Sequence, residues 1–336
     1  MRVAYFDCFS GISGDMALGA LVHAGADLTT ISETIGRLPV DEFATEAEEV
    51  EVHGISAVRI HIRSRPGGGV IRTYASIRSL LDEAEMPEEP RRTAQRMYHR
   101  LAAASARVHG KDMELVTFHE FGDLDCLVEI VGCALGLSML GIERVFASPI
   151  PTGLGMMRTE HGVMPIPSPV VLELLQGAPT YSRGIPVELV TATGAAIISA
   201  VSEGYGDMPL MLADKVGYGA GHLRLDFPNV LRVVVGVEQR AGTRAEPPPS
   251  GANLMVEVTI DGDDPAVPER LLDDLIAAGA HDAWSTEAVG PRGKPRIALS
   301  ALVPSERSEG LSRLLRRVPG AGPVRLTPVM LEGERP

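Results

Sequence analysis

The chain has 336 residues, 45% of them hydrophobic, which is enough for about two domains with cores of their own. Its formal net charge is −13, from 31 Lys and Arg against 44 Asp and Glu, and this argues against binding along nucleic acid phosphates, which needs a basic surface. Three cysteines are too few for a disulfide framework, and no secretory signal or apolar run of about 20 residues is present, so we expect a cytoplasmic protein without membrane attachment.

The chain begins with the pattern of a strand, a loop and a helix, which is typical of an α/β layer. Val3–Phe6 is the apolar strand, residues 8–14 are rich in Gly and Ser, and residues 15–24 have helical character. Residues 41–51 carry six acidic side chains and no basic one, and they lead into residues 58–62, where apolar and polar residues alternate as in a half-buried strand.

The glycine-rich loop is the first candidate site. It has neither the lysine of a Walker motif nor the spacing of a dinucleotide GxGxxG motif. One interpretation is a tight turn in which Ser13 or Asp15 caps the following helix. The other is a phosphate or metal pocket that uses Asp7, Cys8 and Asp15, because glycines let the backbone approach a ligand and helix amides bind anions.

Two helices follow, at residues 74–85 and 91–109, separated by Pro87 and Pro90, and the second has an Arg-rich face. The pattern of Glu114–Phe118 predicts another strand.

The segment from His119 to Glu129 is the second candidate site. It holds one imidazole, one thiol and four carboxylates within eleven residues, and borderline transition metals such as nickel accept these donors. The spacing matches neither HExxH nor a paired CxxC, so a solvated acidic loop that caps the helix at 127–140 remains an alternative. In that helix Cys126, Glu129 and Cys133 share one face, and Cys133 is predicted to lie in the core.

Three further motifs follow in the chain. His161 lies in a Gly/Pro-rich segment at residues 149–169, where prolines hold the backbone stiff and could present the imidazole at a cleft; the alternative is a surface histidine. Thr191–Gly194 is predicted to cap a helix at 195–202. Residues 217–222 (GYGAGH) are predicted to form a flexible loop that could wrap a ligand.

The last third of the chain indicates a second domain. Residues 239–253 have the composition of a linker, with three consecutive prolines, and they separate residues 1–238 from residues 254–336. The pattern of the second region predicts a strand, a helix, two strands and a helix, with a last strand near 324–327. The sequence therefore predicts an α/β (α+β) N-terminal domain and a small ferredoxin-like α+β C-terminal domain.

The five motifs, in this order, resemble the LarC family, the nickel insertion proteins of the lactate racemase cofactor pathway. The resemblance covers nearly all of residues 1–238 and continues more faintly into the small domain. The stretches that carry it are YFDCFSGISGDMALGAL at 5–21, RTYASIRSLL at 72–81, FHEFGDLDCLVEIVG at 118–132, HGVMPIPSP at 161–169, LVTATGAA at 189–196, VGYGAG at 216–221 and PNVLRVVVG at 228–236.

The resemblance implies a function. Members of this family insert Ni²⁺, as a substrate, into pyridinium-3,5-bisthiocarboxylic acid mononucleotide, and the product is the nickel-pincer nucleotide of lactate racemase and related enzymes. It also implies dependence on CTP hydrolysis with a divalent ion such as Mn²⁺ or Mg²⁺, with CTP held by the C-terminal domain. The expected partners are the pyridinium mononucleotide and an apo nickel-pincer enzyme such as a lactate racemase. Ferredoxin-like sheets often associate, so the sequence is compatible with a homo-oligomer.

On this resemblance we assign site residues to this sequence. The predicted metal ligands are His119, Glu120, Asp123, Asp125 and Cys126, with Glu129 as a further candidate. The predicted catalytic residues are Asp7, Asp15, His119 and Glu120. The substrate phosphate is expected at the backbone amides of Ser10, Gly11, Ser13, Gly14, Thr193 and Gly194.

The sequence departs from the family pattern in three places. Ala192 replaces the proline of the usual TPTGAA motif. The basic stretch MKKxRPG is here GPRGKPR at 290–296, so Arg292 and Lys294 are the predicted CTP-binding residues and one lysine position is a proline. The C-terminal domain is shorter than in the family. Two alternatives therefore stay open, a non-catalytic chaperone or scaffold for nickel or the finished cofactor, and a relative that acts on another pyridinium nucleotide.

Overall fold

The computed structural model describes residues 1–64, 73–118, 124–239, 253–261, 266–289 and 294–329, and all counts below refer to these residues. The chain divides into two compact units, residues 1–240 and 241–336. The predicted linker at 239–253 lies almost entirely outside the described residues.

The strands of the first unit are β1 (Arg2–Asp7), β2 (Phe43–Val52), β3 (Ile55–Ser64), β4 (Arg144–Ala147), β5 (Ile150–Thr152), β6 (Gly155–Thr159), β7 (Gly162–Ile166), β8 (Thr180–Ser182), β9 (Ser202–Tyr205), β10 (Met211–Ala220) and β11 (Val230–Glu238). Its helices are α1 (Gly14–His23), α2 (Leu28–Gly36), α3 (Tyr74–Asp82), α4 (Glu88–His109), α5 (Leu124–Met139), α6 (Pro169–Leu174) and α7 (Ala192–Val201).

A mixed sheet organises the first unit. Its described strands run in the order β2-β3-β10-β11-β1-β4-β9. Strand β1 lies near the middle, parallel to β4 and antiparallel to β11, and it ends at Asp7, where the glycine-rich turn begins. The turn, and helix α1 after it, therefore begin at the end of a central strand of the sheet.

The acidic run at 41–51 forms most of strand β2, which pairs along its whole length with β3. Strand β2 is an edge strand, so its carboxylates reach water and also meet cations on β3. Arg63 donates to Glu46 and His61 to Glu48, each at 2.8 Å. Opposite charges across the two strands thus explain how so acidic a segment forms a strand.

The segment 217–222 differs from the sequence-based prediction of a flexible loop. Gly217 and Gly219 belong to strand β10, and helix α1 packs directly on them. A Cβ at Gly217 would stand 1.9 Å from the carbonyl oxygen of Ala20, and one at Gly219 would stand 1.8 Å from that of Met16. These glycines allow helix α1 to pack closely on strand β10, and they do not belong to a flexible loop.

One other prediction of local structure was wrong. Glu114–Phe118 is not a strand: Met113–Leu115 form a short 3-10 helix, because the Asp112 carboxylate accepts a hydrogen bond from the Glu114 N–H at 2.9 Å and so favours a turn. The Gly/Pro-rich segment at 149–169 contains β5 and the hairpin β6–β7.

The core of the first unit lies between the sheet and its helices. Helix α5 is buried on nearly all sides and crosses α1 closely, because Gly132 and Gly136 face Leu18 and Leu21. A Cβ at Gly132 would stand 3.1 Å from Leu18 Cδ1, so α1 and α5 approach with little space between their backbones. None of the helices in the described part of the chain combines the length and apolarity that a membrane crossing requires.

The second unit contains β12 (Asn253–Asp261), α8 (Ala266–Ala277), β13 (Asp282–Val289), β14 (Pro295–Pro304), α9 (Ser308–Leu315) and β15 (Arg325–Val329). Its described strands form an antiparallel sheet in the order β13-β14-β12-β15. The order strand, helix, strand, strand, helix, strand is the one that the sequence predicts. This unit has its own core, formed by β12, β14 and apolar residues of α8 and α9 such as Leu275 and Leu311.

Candidate functional site

The turn between β1 and α1 is attached to the segment before α7. Ile12 donates its N–H to the carbonyl of Leu189 at 2.9 Å, and Thr191 donates to the carbonyl of Ile12 at 3.1 Å. Gly11 has a φ of +96°, and a Cβ there would stand 1.9 Å from the Leu189 carbonyl oxygen. Only glycine fits this position, and it lets the turn and the start of α7 line one site.

Helix α5 supplies a carboxylate to the first turn of α1. A Cβ at Gly14 would stand 2.0 Å from Glu129 Oε2, so the Glu129 carboxylate occupies the space that a side chain would fill. The Asp15 backbone N–H donates a hydrogen bond to this carboxylate. Burial raises the pKa of Glu129 well above its usual value, and the negative charges of Asp15 and Asp125 raise it further.

The two carboxylate oxygens of Asp15 contact different partners. Its Oδ1 accepts hydrogen bonds from the Met16 N–H at 2.9 Å and from the Ser13 hydroxyl. Its Oδ2 lies 3.3 Å from Nε2 of His222. Ser13 stands at the N-cap position, but its side chain makes no capping hydrogen bond to the helix, so the predicted cap at Ser13 is replaced by a contact to Asp15.

A cavity of about 730 Å³ opens beside these residues. It brings together α1, α5, the β6–β7 hairpin and the start of α7. Its carboxylates are Asp15, Glu129, Glu160 and Glu188. Its hydroxyls are Ser13, Thr159, Ser168, Thr191 and Thr193. Arg158 also lines it, and four carboxylates against this guanidinium make the cavity suited to a cation.

The start of α7 confirms the predicted helix cap. Thr191 accepts a hydrogen bond from the Gly194 N–H at 3.1 Å through its hydroxyl. The Thr193 hydroxyl lies 3.6 Å from Cys126 Sγ and donates to it, and both side chains are buried. The Gly194 amide is therefore used within the protein, and the Cys126 thiol is held against Thr193 beneath the surface of the cavity.

The structure brings some of the predicted site residues to the cavity. Ser13, Gly14, Asp15 and Thr193 line it directly. Asp125 is exposed in the first turn of α5, where its charge acts on Glu129. The predicted ligands His119, Glu120 and Asp123 lie outside the described residues, so their placement stays a prediction.

Other predicted residues lie apart from the cavity lining. Asp7 is paired with the guanidinium of Arg232, whose Nε stands 3.0 Å from Asp7 Oδ2. Ser10 is fully buried, and its hydroxyl has no hydrogen-bond partner among the described residues. The Gly11 amide donates to the Cys8 carbonyl at 2.8 Å. A phosphate cradle formed by Ser10 and Gly11 would compete with this internal bonding.

The remaining predicted positions are buried, exposed at the surface, or outside the described residues. Cys8 and Cys133 are fully buried, and burial raises the pKa of both thiols, which favours the neutral core residue over the metal ligand. His161 lies in the exposed turn between β6 and β7, with its ring 4.9 Å from that of His109. Lys294 is exposed in the second unit, while Arg292 lies outside the described residues.

Three residues of the cavity, Arg158, Glu160 and Glu188, are not predicted from the sequence. They lie in segments without a motif, and only the hairpin β6–β7 and the path of the chain before α7 bring them to Asp15. The polar run 158–161, which a glycine ends and apolar residues flank on both sides, was a signal that would have indicated a turn between two strands. Within the described residues, no three His, Cys, Asp or Glu side chains already stand as a complete metal site.

Comparison with known proteins identifies the family. The sequence model of the family described as "Nickel insertion protein" matches residues 4–330. The chain is 38% identical over 315 residues to the pyridinium-3,5-bisthiocarboxylic acid mononucleotide nickel insertion protein of Desulfitobacterium hafniense (strain DSM 10664 / DCB-2), with 94% of this chain and 78% of the relative covered. It is 37% identical over 318 residues to the protein of the same name from Nocardioides sp. (strain ATCC BAA-499 / JS614), covering 94% and 79%.

A search of solved structures found a partial match. It is to "LarC2, the C-terminal domain of a cyclometallase involved in the synthesis of the NPN cofactor of lactate racemase, apo form". The match has 23% identity and a TM-score of 0.22, and it covers 23% of this chain and 54% of the other, which is too little to assign a fold. The assignment rests instead on the family match and on the two relatives, which span almost the whole chain: this protein belongs to the nickel insertion protein family.

Proposed function

We propose that this chain inserts Ni²⁺ into pyridinium-3,5-bisthiocarboxylic acid mononucleotide. The observation that carries the proposal is the meeting of Asp15 and Glu129 in a cavity with two further carboxylates, within a chain that belongs to the nickel insertion protein family. Nickel is a borderline metal that accepts oxygen, nitrogen and sulfur donors, so carboxylates can hold it before the substrate's sulfur atoms replace them. The names of the two relatives state the same substrate.

The cavity residues divide into three roles in this proposal. Asp15, Glu160 and Glu188 supply negative charge for the incoming cation. Arg158 is suited to the phosphate of the mononucleotide, because a guanidinium binds phosphate through paired hydrogen bonds. Glu129 is the candidate base: when nickel replaces the hydrogen on the pyridinium carbon, the C–H electron pair goes to the metal and the proton needs an acceptor.

Burial of Glu129 supports the role of base. Its raised pKa makes the ionised carboxylate a stronger proton acceptor than an ordinary surface glutamate. The Asp15 N–H, which donates to this carboxylate, fixes its orientation at the start of α1. Among the predicted catalytic residues, Asp15 is therefore the one that the cavity geometry supports, while Asp7 is paired with Arg232.

We further propose that the two units divide the work. Residues 1–238 would handle nickel and the mononucleotide, and residues 254–336 would form a ferredoxin-like domain that binds CTP with Mn²⁺ or Mg²⁺ through Arg292 and Lys294. The strand order β13-β14-β12-β15 supports the ferredoxin-like assignment. Delivery of the product to an apo nickel-pincer enzyme belongs to the same proposal, as does a cytoplasmic location.

A mass-spectrometric assay tests the function. The full chain is incubated with Ni²⁺ and the mononucleotide, with and without CTP and Mn²⁺, and the nickelated product is quantified. We expect product from the wild type and a loss of at least about tenfold in Glu129→Gln, because removal of a base typically costs this much or more. The matched control is Glu33→Gln on the exposed side of α2, which should retain the wild-type yield.

The assay also separates the alternatives. Bound nickel without any nickelated product, with or without CTP, would favour the chaperone or scaffold, an alternative that the altered basic stretch at 290–296 supports. Product that forms equally well without CTP would contradict the proposed role of Arg292 and Lys294.

The predicted ligands His119 and Asp125 need their own test. We expect the double substitution His119→Ala with Asp125→Ala to lower the nickel stoichiometry of the purified chain. Unchanged stoichiometry would reject these two residues as ligands and leave the described carboxylates of the cavity as the nickel site.

A further inference from the structure

Two imidazoles stand next to the cavity, and neither belongs to the predicted set of metal ligands. His222 comes two residues after the end of β10, and His61 lies on the neighbouring strand β3. The two rings pack edge to face with their centroids 5.5 Å apart. His222 is in turn placed against Asp15, a residue that lines the cavity.

The contact between His222 and Asp15 has the dimensions of a pair of metal ligands. Nε2 of His222 and Oδ2 of Asp15 are 3.3 Å apart. Two donors that each lie about 2.1 Å from one first-row metal ion, at an angle of 90–110°, are separated by about 3.0–3.4 Å. The separation therefore allows both atoms to bind one ion that lies to the side of the line joining them, in place of their direct contact. The other Asp15 oxygen, Oδ1, already accepts the Met16 N–H, which holds the carboxylate in this orientation.

The two imidazoles are more exposed than the carboxylate beside them. His222 is 55% exposed and His61 is 32% exposed, whereas Asp15 is 14% exposed. His61 also contacts Glu48 of the edge strand at 2.8 Å. An ion arriving from solvent would thus meet the imidazoles before Asp15.

The neighbouring charges favour a cation at this place. Arg59 is a positive side chain in this neighbourhood, with Nη2 3.5 Å from the Gly221 carbonyl oxygen. Its Nη1 lies 3.5 Å from Glu48, which also contacts His61, so the charge of Arg59 is balanced locally.

We propose that His222 and Asp15 form a loading site for Ni²⁺, with His61 as a second imidazole beside His222. This inference deepens the proposed function and rests on it, because it identifies where the substrate metal enters. Two protein ligands leave the other coordination positions to water, and such an incomplete site suits a metal that must be passed on. Imidazole and carboxylate are both donors that nickel accepts.

The first test measures binding of Ni²⁺ alone to the full chain, by competition with a colorimetric chelator. We expect His222→Ala and the size-conserving His222→Gln to weaken the highest-affinity Ni²⁺ site at least about tenfold. His61→Ala should have a smaller effect, about threefold, because it lies farther from Asp15. The control is His281→Ala, an exposed histidine of the second unit, which should leave affinity within a factor of about two of wild type.

The second test locates the ion. High-spin Ni²⁺ broadens proton NMR signals near it, so substoichiometric Ni²⁺ should broaden the imidazole signals of His222 first and those of His61 next. The signals of His281 should stay sharp. Broadening that begins elsewhere, or unchanged affinity in both His222 variants that fold normally, would overturn the loading site.

The outcomes for this site and for the insertion reaction are separable. If the wild type makes no nickelated product and the His222 variants still lose nickel affinity, the loading site stands and the proposed function fails. If product forms, we expect the His222 variants to need at least about tenfold more Ni²⁺ for half-maximal rate. An unchanged requirement together with unchanged affinity would reject the loading site and leave the function intact.

Discussion

Gly14 of α1 and Glu129 of α5 are in such close contact that residue 14 has no room for a side chain. A Cβ there would stand 2.0 Å from Glu129 Oε2 and 2.9 Å from Glu129 Cβ. The glycine brings a carboxylate against the amino end of a helix, where the helix dipole and the Asp15 N–H offset part of the cost of burying its charge. The cavity therefore depends on an amino acid that lacks a side chain as much as on the acidic ones.

Substitution of this glycine should damage both the fold and the cavity. We expect Gly14→Ala to lower the free energy of unfolding by about 1–3 kcal/mol, because overpacking forces the Glu129 side chain or α5 to move. Chemical denaturation measures the change. The matched control is Gly36→Ala at the end of α2, where a Cβ meets nothing within 4 Å, and it should be neutral or slightly stabilising. Equal effects of the two substitutions would contradict the contact.

The raised pKa of Glu129 should make stability depend on pH. Burial, then the charges of Asp15 and Asp125, favours the protonated form in the folded chain, so the folded state holds a proton that the unfolded state has already released. The contribution of Glu129 to the free energy of unfolding is therefore fully present below about pH 4. It is lost as the pH rises from there through the pKa of Glu129 in the folded chain, by at most about 1.4 kcal/mol per pH unit.

The variant Glu129→Gln isolates this effect. Above pH 4 its free energy of unfolding, measured without metal, should fall less with rising pH than that of the wild type, and at pH 7 it should be the more stable protein. Glu33→Gln serves as the control with the wild-type pH profile. Identical pH profiles for Glu129→Gln and wild type would show that Glu129 is not buried as described.

Packing of α1 on β10 should tolerate no side chain at Gly219. The obstacle is backbone, since a Cβ would stand 1.8 Å from the Met16 carbonyl oxygen and 2.6 Å from the Ala20 nitrogen. We expect Gly219→Ala to cost at least about 2 kcal/mol in the free energy of unfolding, near the upper range for overpacked sites. Gly310→Ala, on an open face of α9, is the control and should cost nothing. A tolerated Gly219→Ala would contradict the α1–β10 contact.

The three thiols should be protected in the native protein. Cys8, Cys126 and Cys133 form no disulfide within the described residues and are buried, and burial raises the pKa of Cys8 and Cys133, so little thiolate forms at these two residues at neutral pH. We expect a thiol-specific colorimetric reagent to react with none of them within minutes on the native chain. All three should react after denaturation in guanidinium chloride. Rapid native reaction of one thiol, identified by peptide mass spectrometry, would show that its segment opens.

Local patterns predicted several elements well because their causes are local. The apolar run at Val3–Phe6 lies in β1, Thr191 caps α7 as predicted, and the order of elements in the second unit agrees with the sequence. Predictions failed where long-range contacts decide the conformation. The motif at 217–222 predicts a loop, whereas Gly217 and Gly219 lie in β10, because sequence alone does not distinguish a glycine needed for a turn from one needed for close packing.

The amino-acid sequence by itself determined the family, the division of the chain into two regions of different pattern, and the types of side chain that could form the site. These follow from residue types and from their order, both of which are present in the linear chain. Only the tertiary structure decided which acidic residues meet: Glu129 comes to Gly14 and Asp15 because α5 crosses α1, and Arg158, Glu160 and Glu188 join them through a hairpin. His222 reaches Asp15 because β10 lies beneath α1, a contact between residues 207 positions apart that no local pattern encodes.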